Sequence, residues 1–297
     1  MAGQEAGAAP GIPAYPGDGG FCYSIPLGQN AAGGERMRDL AATSGLPLQL
    51  ADDGSLVFGD GLPPVDPAVR SLGAMREVLA DPEADGPEAL YYMYRDVGRV
   101  ADKARTAGHG LRYDITVVMP ARLGGEWNKT YGHYHPLAPS GDYYPEVYEV
   151  LAGRAIYLLQ RRNSAGAIDD VLILPALPGD KVYMLPGYGH VTINPGDEPL
   201  VMANWVAGAF NSEYGDYKAK RGAAYYALVG SEAVRWSGNP RYGAVPEARV
   251  AAPRCPEDMT GLRAGRPMYV DGVQHPERLA YLVDPSKYRG DWAALAG

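Results

Sequence analysis

Residues 129–160 read KTYGHYHPLAPSGDYYPEVYEVLAGRAIYLLQ, and the fold of the whole chain turns on how this stretch is interpreted. His133 and His135 stand one residue apart, and Glu146 follows at the head of a strand, a tight Ala152-Gly153 turn and a second strand. On a strand, residues i and i+2 point to the same face, so the two imidazoles are presented side by side. The same parity puts Glu146 and Tyr148 on one face and Val147 and Glu149 on the other. It separates the two glutamates without saying which one faces inward. A later stretch, YMLPGYGHVTINPGDEPLVMANWV (183–206), adds His190 between short strands. Imidazole with carboxylate suits a divalent first-row metal such as Fe, Mn, Ni, Co or Zn. Four such ligands leave room in an octahedral shell for two substrate oxygens or waters. An isolated His-x-His is more often a surface or core pair, but a strand-borne Glu and a third His favour a metal site. His109 and His275 sit in polar, turn-like surroundings and are given no role.

Working outward, strands dominate. They are expected at Leu90–Val97, Tyr113–Met119, Lys129–His135, Glu146–Leu151, Arg154–Gln160, Val171–Leu174, Lys181–Leu185, His190–Ile193 and Leu200–Val206. Turn signatures at Pro178-Gly179-Asp180 and Pro195-Gly196-Asp197 separate some of them. LPLQLADDGSLVFGDG (46–61) reads as a hairpin. Asp66-Pro67 reads as the start of a helix carrying Leu72, Met75 and Leu79. GERMRDLAATSG, ending at Gly45, reads as a short helix with Met37 and Leu40 on one face. Many short strands with regular turns mean an antiparallel sandwich or barrel. No Gly-rich nucleotide loop or strand–helix rhythm points to an α/β fold.

Composition sets the bounds. The chain has 297 residues and a formal net charge of −8, which argues against general binding to nucleic acid or a membrane surface. Twenty-two Tyr against three Phe suit a cavity that is both packed and polar. Cys22 and Cys255 are far apart and outside any Cys-x-x-Cys motif, so free thiols in a reducing compartment are expected. Residues 1–20 are rich in Gly, Ala and Pro and are expected to be disordered. They lack the secretory pattern, and no apolar run reaches the length of a membrane span, so the expected location is cytoplasmic.

GHYHP, PEVYEVLAGRAIYLLQ and PGYGHVTINPGDEPLVMANWV together resemble the metal-dependent, cupin-type glucose-6-phosphate isomerase family. The hairpin before Asp66, LYYMY (90–94), SEYGDY (212–217) and NPRYG (239–243) extend the resemblance in the same order. It implies a mainly β cupin, a double-stranded β-helix or jelly-roll barrel with a few flanking helices. Residues 46–242 would form that domain, 1–45 an N-terminal extension and 243–297 a C-terminal extension packed on the barrel as strands or a short helix. By resemblance, His133, His135, Glu146 and His190 are the metal ligands, and Glu146 and Tyr148 are the catalytic residues. Tyr91, Thr116, Thr130, the Gly132 amide and Tyr214 would bind substrate. Hydroxyls and an amide can grip a phosphate without a basic cluster. Lys129 would add charge there or simply be solvated.

The implied enzyme is an intramolecular oxidoreductase interconverting glucose 6-phosphate and fructose 6-phosphate, a cytoplasmic homodimer of glycolysis and gluconeogenesis. A divalent metal on O1 and O2 would stabilise the developing oxyanion. An enediol route with Glu146 as base and a metal-assisted hydride shift both stay open. The alternatives are another metal cupin acting on a different sugar or sugar phosphate, a cupin dioxygenase, or a non-catalytic sensor. Two departures bear on sugar selectivity: Ser212, where relatives can carry His, and Val206, where they can carry an aromatic residue.

Overall fold

A computed structural model describes residues 37–295 apart from positions 210, 232 and 289, together with the backbone of Cys22–Tyr23. The expected disorder of residues 1–20 lies outside the described residues. The expected hairpin forms: β1 (Leu48–Leu50) and β2 (Leu56–Phe58) pair antiparallel across the Asp-Asp-Gly turn. Before it, the short helix is confined to Ala41–Ser44 with Gly45 as its left-handed cap; Met37 is exposed and Leu40 buried. The helix expected from Asp66-Pro67 starts later. Residues Ala68–Ser71 form instead an edge strand, β3, on β4 (Ala89–Tyr94). The helix opens at Leu72, with the Ser71 hydroxyl accepting from Ala74 N at 3.2 Å. Sheet pairing claims the residues after Pro67, and Ser71 supplies the same capping chemistry further along.

The chain continues through helix α1 (Val100–Gly108), β5 (Leu111–Val118), β6 (Glu146–Ala152), β7 (Ala155–Arg162), β8 (Ile168–Ala176), β9 (Lys181–Met184), β10 (Tyr188–Ile193) and β11 (Leu200–Ala207). One sheet has the order β9-β6-β11-β5-β4-β3; the other contains β10-β7-β8. Residues 128–135 run beside β10 as the outer element of the second sheet. A continuous strand Lys129–His135 was expected there, but the pairing is broken into bridges at Lys129–Ile193 and His133–His190. The break is at Gly132, whose φ is +84°. On either side the ladder survives: Thr130 N donates to Thr192 O at 2.8 Å, and His133 and His190 exchange both backbone bonds at 3.2 and 3.0 Å. Numbered from β5, the barrel strands read 6-3-8-1 in one sheet and 2-7-4-5 in the other, which is the double Greek-key order of a jelly roll. The fold is therefore the mainly β jelly roll the sequence implies. Among the described residues no helix is long and apolar enough to cross a membrane.

Elements with no counterpart in the sequence reading include α1, the short helix α2 (Gly215–Ala219), and the hairpin of β12 (Tyr225–Val229) and β13 (Val234–Gly238), along which Cys22–Tyr23 lies. In α1 only Thr106 is buried, so no apolar stripe announces the helix.

All of β6 is buried, and its two faces do different jobs. Glu149 faces outward, beneath the C-terminal segment. Its Oε1 accepts from Lys181 Nζ and its Oε2 from Met268 N, both at 2.8 Å, while Lys181 Nζ also donates to Arg266 O at 2.8 Å. Burial pushes the Glu149 carboxyl up to about 7, against the downward pull of Lys181. Helix α3 (Met268–Gln274) begins there. Trp205 Nε1 donates to Met268 O at 2.9 Å, and Tyr113 lies against both Trp205 and Tyr269 at ring separations of 4.9 and 5.1 Å. Gly272 permits this approach, since a Cβ there would fall 2.5 Å from the Trp205 ring. Cys255 is a free thiol donating to Leu262 O at 3.3 Å; the Cys22 side chain lies outside the described residues.

Breaking one half of a buried ion pair leaves the other charge stranded. Lys181→Met is therefore expected to lower the unfolding free energy by about 3–5 kcal/mol. Adding Glu149→Leu should recover most of the loss, as read by urea denaturation.

Candidate metal centre

β6 turns Glu146 into the barrel, β10 turns His190 toward it, and the broken strand beside β10 supplies His133 and His135. One ligand atom from each of these four residues lies within 4.8 Å of all the others. The Nε2 atoms of His135 and His133 are 3.2 Å apart. Glu146 Oε2 is 3.3 Å from His135 Nε2 and 3.5 Å from His190 Nε2. Donors bound to one cation at about 2.1 Å lie roughly 3.0–3.4 Å apart when adjacent, so this spacing is that of a coordination shell. The question that strand parity leaves open has a geometric answer: Glu146 faces the imidazoles, and Glu149 faces Lys181.

The hydrogen bonds around the cluster hold its members in ligating form. His135 Nδ1 lies 2.8 Å from the Tyr144 carbonyl, so it carries the proton and donates it, which leaves Nε2 as a lone-pair donor. Asn204 Nδ2 donates to Glu146 Oε1 at 2.6 Å. Glu146 Oε2 and both ring nitrogens of His190 are buried with no protein hydrogen-bond partner. Burial, reinforced by the neighbouring His135, pushes His133 well below the usual histidine range; burial and the other two imidazoles do the same to His190. Neutral imidazoles with unpartnered buried nitrogens beside a carboxylate are the donor set a divalent cation requires.

The cluster opens into a cavity of about 300 Å³. Tyr91, Thr116, Thr130, Gly132, Tyr148 and Tyr214 all line it, beside His133, Glu146 and His190. His135 lies behind this surface, buried against Tyr144. Two of the hydroxyls are held by donors that leave their own hydrogens available. Thr130 Oγ1 accepts from Thr192 N at 3.0 Å. Tyr91 Oη accepts from Tyr131 N and Arg70 Nε, both at 3.2 Å. Each oxygen is thus used as an acceptor, and its O–H can donate to a ligand. A Cβ on Gly132 would fall 2.4 Å from the Tyr217 ring, so this position needs glycine for space as well as for its φ. Tyr148 is buried. Burial first, then the Glu146 carboxylate, pushes its phenol well above the ordinary tyrosine range, so it remains a proton donor.

Lys129 does not reach this cavity. Its ammonium pairs with buried Glu126, whose other oxygen accepts from Ala80 N at 2.9 Å. The lysine is therefore neither solvated nor a charge for the pocket. Conversely, Arg95, Arg112, Asn211, Ser212 and Val206 also line the cavity. The two arginines escape a motif-based reading. A signal for Arg112 was present, because it shares parity with Thr116 on β5. A larger open cleft between Glu257 and Tyr288 holds none of these groups.

If the cluster is a metal site, His190→Ala and Glu146→Ala should each reduce metal co-purifying with the protein from near-stoichiometric to background by plasma mass spectrometry. The far-UV circular dichroism should keep its β signature.

Residues 69–242 match the profile of the family described as glucose-6-phosphate isomerase (GPI). The glucose-6-phosphate isomerase of Thermococcus gammatolerans is 30% identical over 180 residues, covering 59% of this chain and 86% of the relative. That of Thermococcus litoralis is 28% identical over 159 residues, covering 52% and 76%. That of Pyrococcus furiosus is 30% identical over 132 residues, covering 44% and 65%. Among solved structures, recombinant oxalate oxidase in complex with glycolate aligns with TM-score 0.30 and 18% identity over 41% of this chain and 51% of that one. That alignment is too loose to bear on function.

Proposed function

We infer that this chain, a member of the glucose-6-phosphate isomerase family, is an isomerase that interconverts glucose 6-phosphate and fructose 6-phosphate in the cavity beside the His–Glu cluster. The observation that carries the reading is that one cavity is lined both by the cluster and by a set of hydroxyls suited to a phosphate. We read residues 46–242 as the catalytic barrel and 243–297 as a buttress on its outer face. The family resemblance adds a cytoplasmic setting in glycolysis and gluconeogenesis and a homodimeric state to the same proposal.

Thr116, Thr130 and Tyr91 would donate O–H bonds to the phosphate, and Gly132 lets the backbone approach it. This sets the direction in which the sugar lies, with its carbonyl end toward His133, Glu146 and His190. A divalent cation held by His133, His135, Glu146 and His190 would supply Lewis acidity at the two sugar oxygens that exchange carbonyl character. Glu146 has one oxygen capped by Asn204 and the other turned to the imidazoles. That arrangement supports a ligand role for Glu146 over that of a free base. Tyr148, protonated and beside Glu146, is suited to passing a proton between the hydroxyl and carbonyl oxygens. Tyr214 closes the side of the cavity, its ring 5.3 Å from Tyr131 and 5.6 Å from His133.

Two outcomes test this. Chelation should abolish conversion of fructose 6-phosphate in a coupled assay, with Fe, Mn, Co or Ni restoring it; full turnover by metal-free protein would end the proposal. Thr116→Val removes one charge-assisted hydrogen bond, worth about 1.5–3 kcal/mol. It should raise KM for the phosphorylated sugar about tenfold or more while leaving the free sugar little affected.

A further inference from the structure

We propose that Arg95 and Arg112, held together by Asp114, form a second anion subsite in the cavity, at the end away from the hydroxyl cradle. It would recognise a negative group on the far end of a phosphorylated sugar, a carboxylate or a second phosphate. The inference rests on the sugar-phosphate reading above.

The geometry begins on β5, where Arg112, Asp114 and Thr116 alternate onto one face. Across the ladder on β11, Val206 stands opposite Arg112, Asn204 opposite Asp114 and Met202 opposite Thr116. Thr116 and Arg112 are thus separated along the strand by roughly 14 Å, at about 3.4 Å per residue. Asn204, which donates to Glu146, lies in the row between them. The cavity therefore has two poles with the ligand cluster near its middle. One pole offers neutral hydroxyls. The other offers guanidinium groups, which can grip a carboxylate or phosphate with two parallel N–H bonds.

The arginine pole is built into the fold. Asp114 is wholly buried and accepts from Arg95 Nη1 at 2.7 Å, from Arg112 Nε and Nη2 at 2.9 Å each, and from Asp96 N at 2.8 Å. Asp96 takes a φ of +55° at that point, a conformation uncommon for residues other than glycine. Arg112 alone would already satisfy the carboxylate in bidentate fashion, so the balancing of Asp114 does not account for Arg95. Asp114 balances only one of the two guanidiniums, and the side chains stay 47% and 31% exposed. Arg95 is close enough to Glu146 and Tyr148 for its charge to bear on both. The surplus charge thus faces the reacting end of a bound sugar.

The test is calorimetric binding to the full chain, metal-stripped and metal-loaded, with three probes. Sorbitol 6-phosphate carries no charge at its far end, 6-phosphogluconate carries a carboxylate there, and a hexitol 1,6-bisphosphate carries a phosphate. In metal-stripped protein, where no cation can attract the carboxylate, the two doubly anionic probes should bind at least tenfold more tightly than sorbitol 6-phosphate. Arg95→Gln, which leaves Arg112 on Asp114, should bring that ratio to within about twofold of one. A ratio near one in the unaltered metal-stripped protein would overturn the subsite, as would a ratio that Arg95→Gln does not change. Failure of sorbitol 6-phosphate to bind at all would instead overturn the sugar-phosphate reading beneath it.

Discussion

A jelly-roll barrel has an apolar interior, and this one encloses nitrogen and oxygen atoms that no protein group satisfies. Glu146 Oε2 and both ring nitrogens of His190 are buried without a partner, and the Nε2 atoms of His133 and His135 point at the same spot. Leaving such atoms unpaired costs several kcal/mol in total, and the imidazoles cannot pair with one another as neutral groups without one of them losing its acceptor. A cation is the partner that satisfies Glu146 Oε2 and one nitrogen of each imidazole at once. The surrounding bonds, Tyr144 O on His135 and Asn204 on Glu146, make sense as devices that hold each donor in its ligating form.

That cluster is possible because the strands that carry it are buried on both faces. Glu146 and Tyr148 look inward, while Glu149 on the same strand is tied outward to Lys181 and to the first residue of α3. The C-terminal segment covers this outer face through Trp205, Tyr113 and Tyr269. A one-residue slip of β6 would turn Glu146 out and Glu149 in and break both sets of bonds, so its register is strongly specified.

The cavity in front of the cluster is polarised along the strands. Hydroxyls with committed acceptors and free hydrogens occupy one end, and two guanidiniums sharing one buried carboxylate occupy the other. Neither end depends on the overall charge of −8, which shows why net charge speaks to general partners and not to a local site.

Much of this was legible in the sequence. The turn signatures and alternating strands carried the barrel, and the three histidines with a nearby strand glutamate carried the cluster, because strand parity and Gly-Pro chemistry act over a few residues. Lys129–His135 reads as one strand because Gly132 permits a positive φ without requiring it; the φ of +84° it takes is visible only in the folded chain. The helix at Asp66 was misplaced because cap chemistry recurs at Ser71 and only the partner strand β4 selects between them. Lys129, near the motif, is buried against Glu126, while Arg95, outside it and given no role from the sequence, reaches the cavity. By itself, then, the sequence determined the strand pattern, the turns and the kinds of ligand available. Only the tertiary structure decided which glutamate faces inward, which cations reach the pocket and where its two poles lie, because those choices depend on neighbours brought together across sheets from distant parts of the chain.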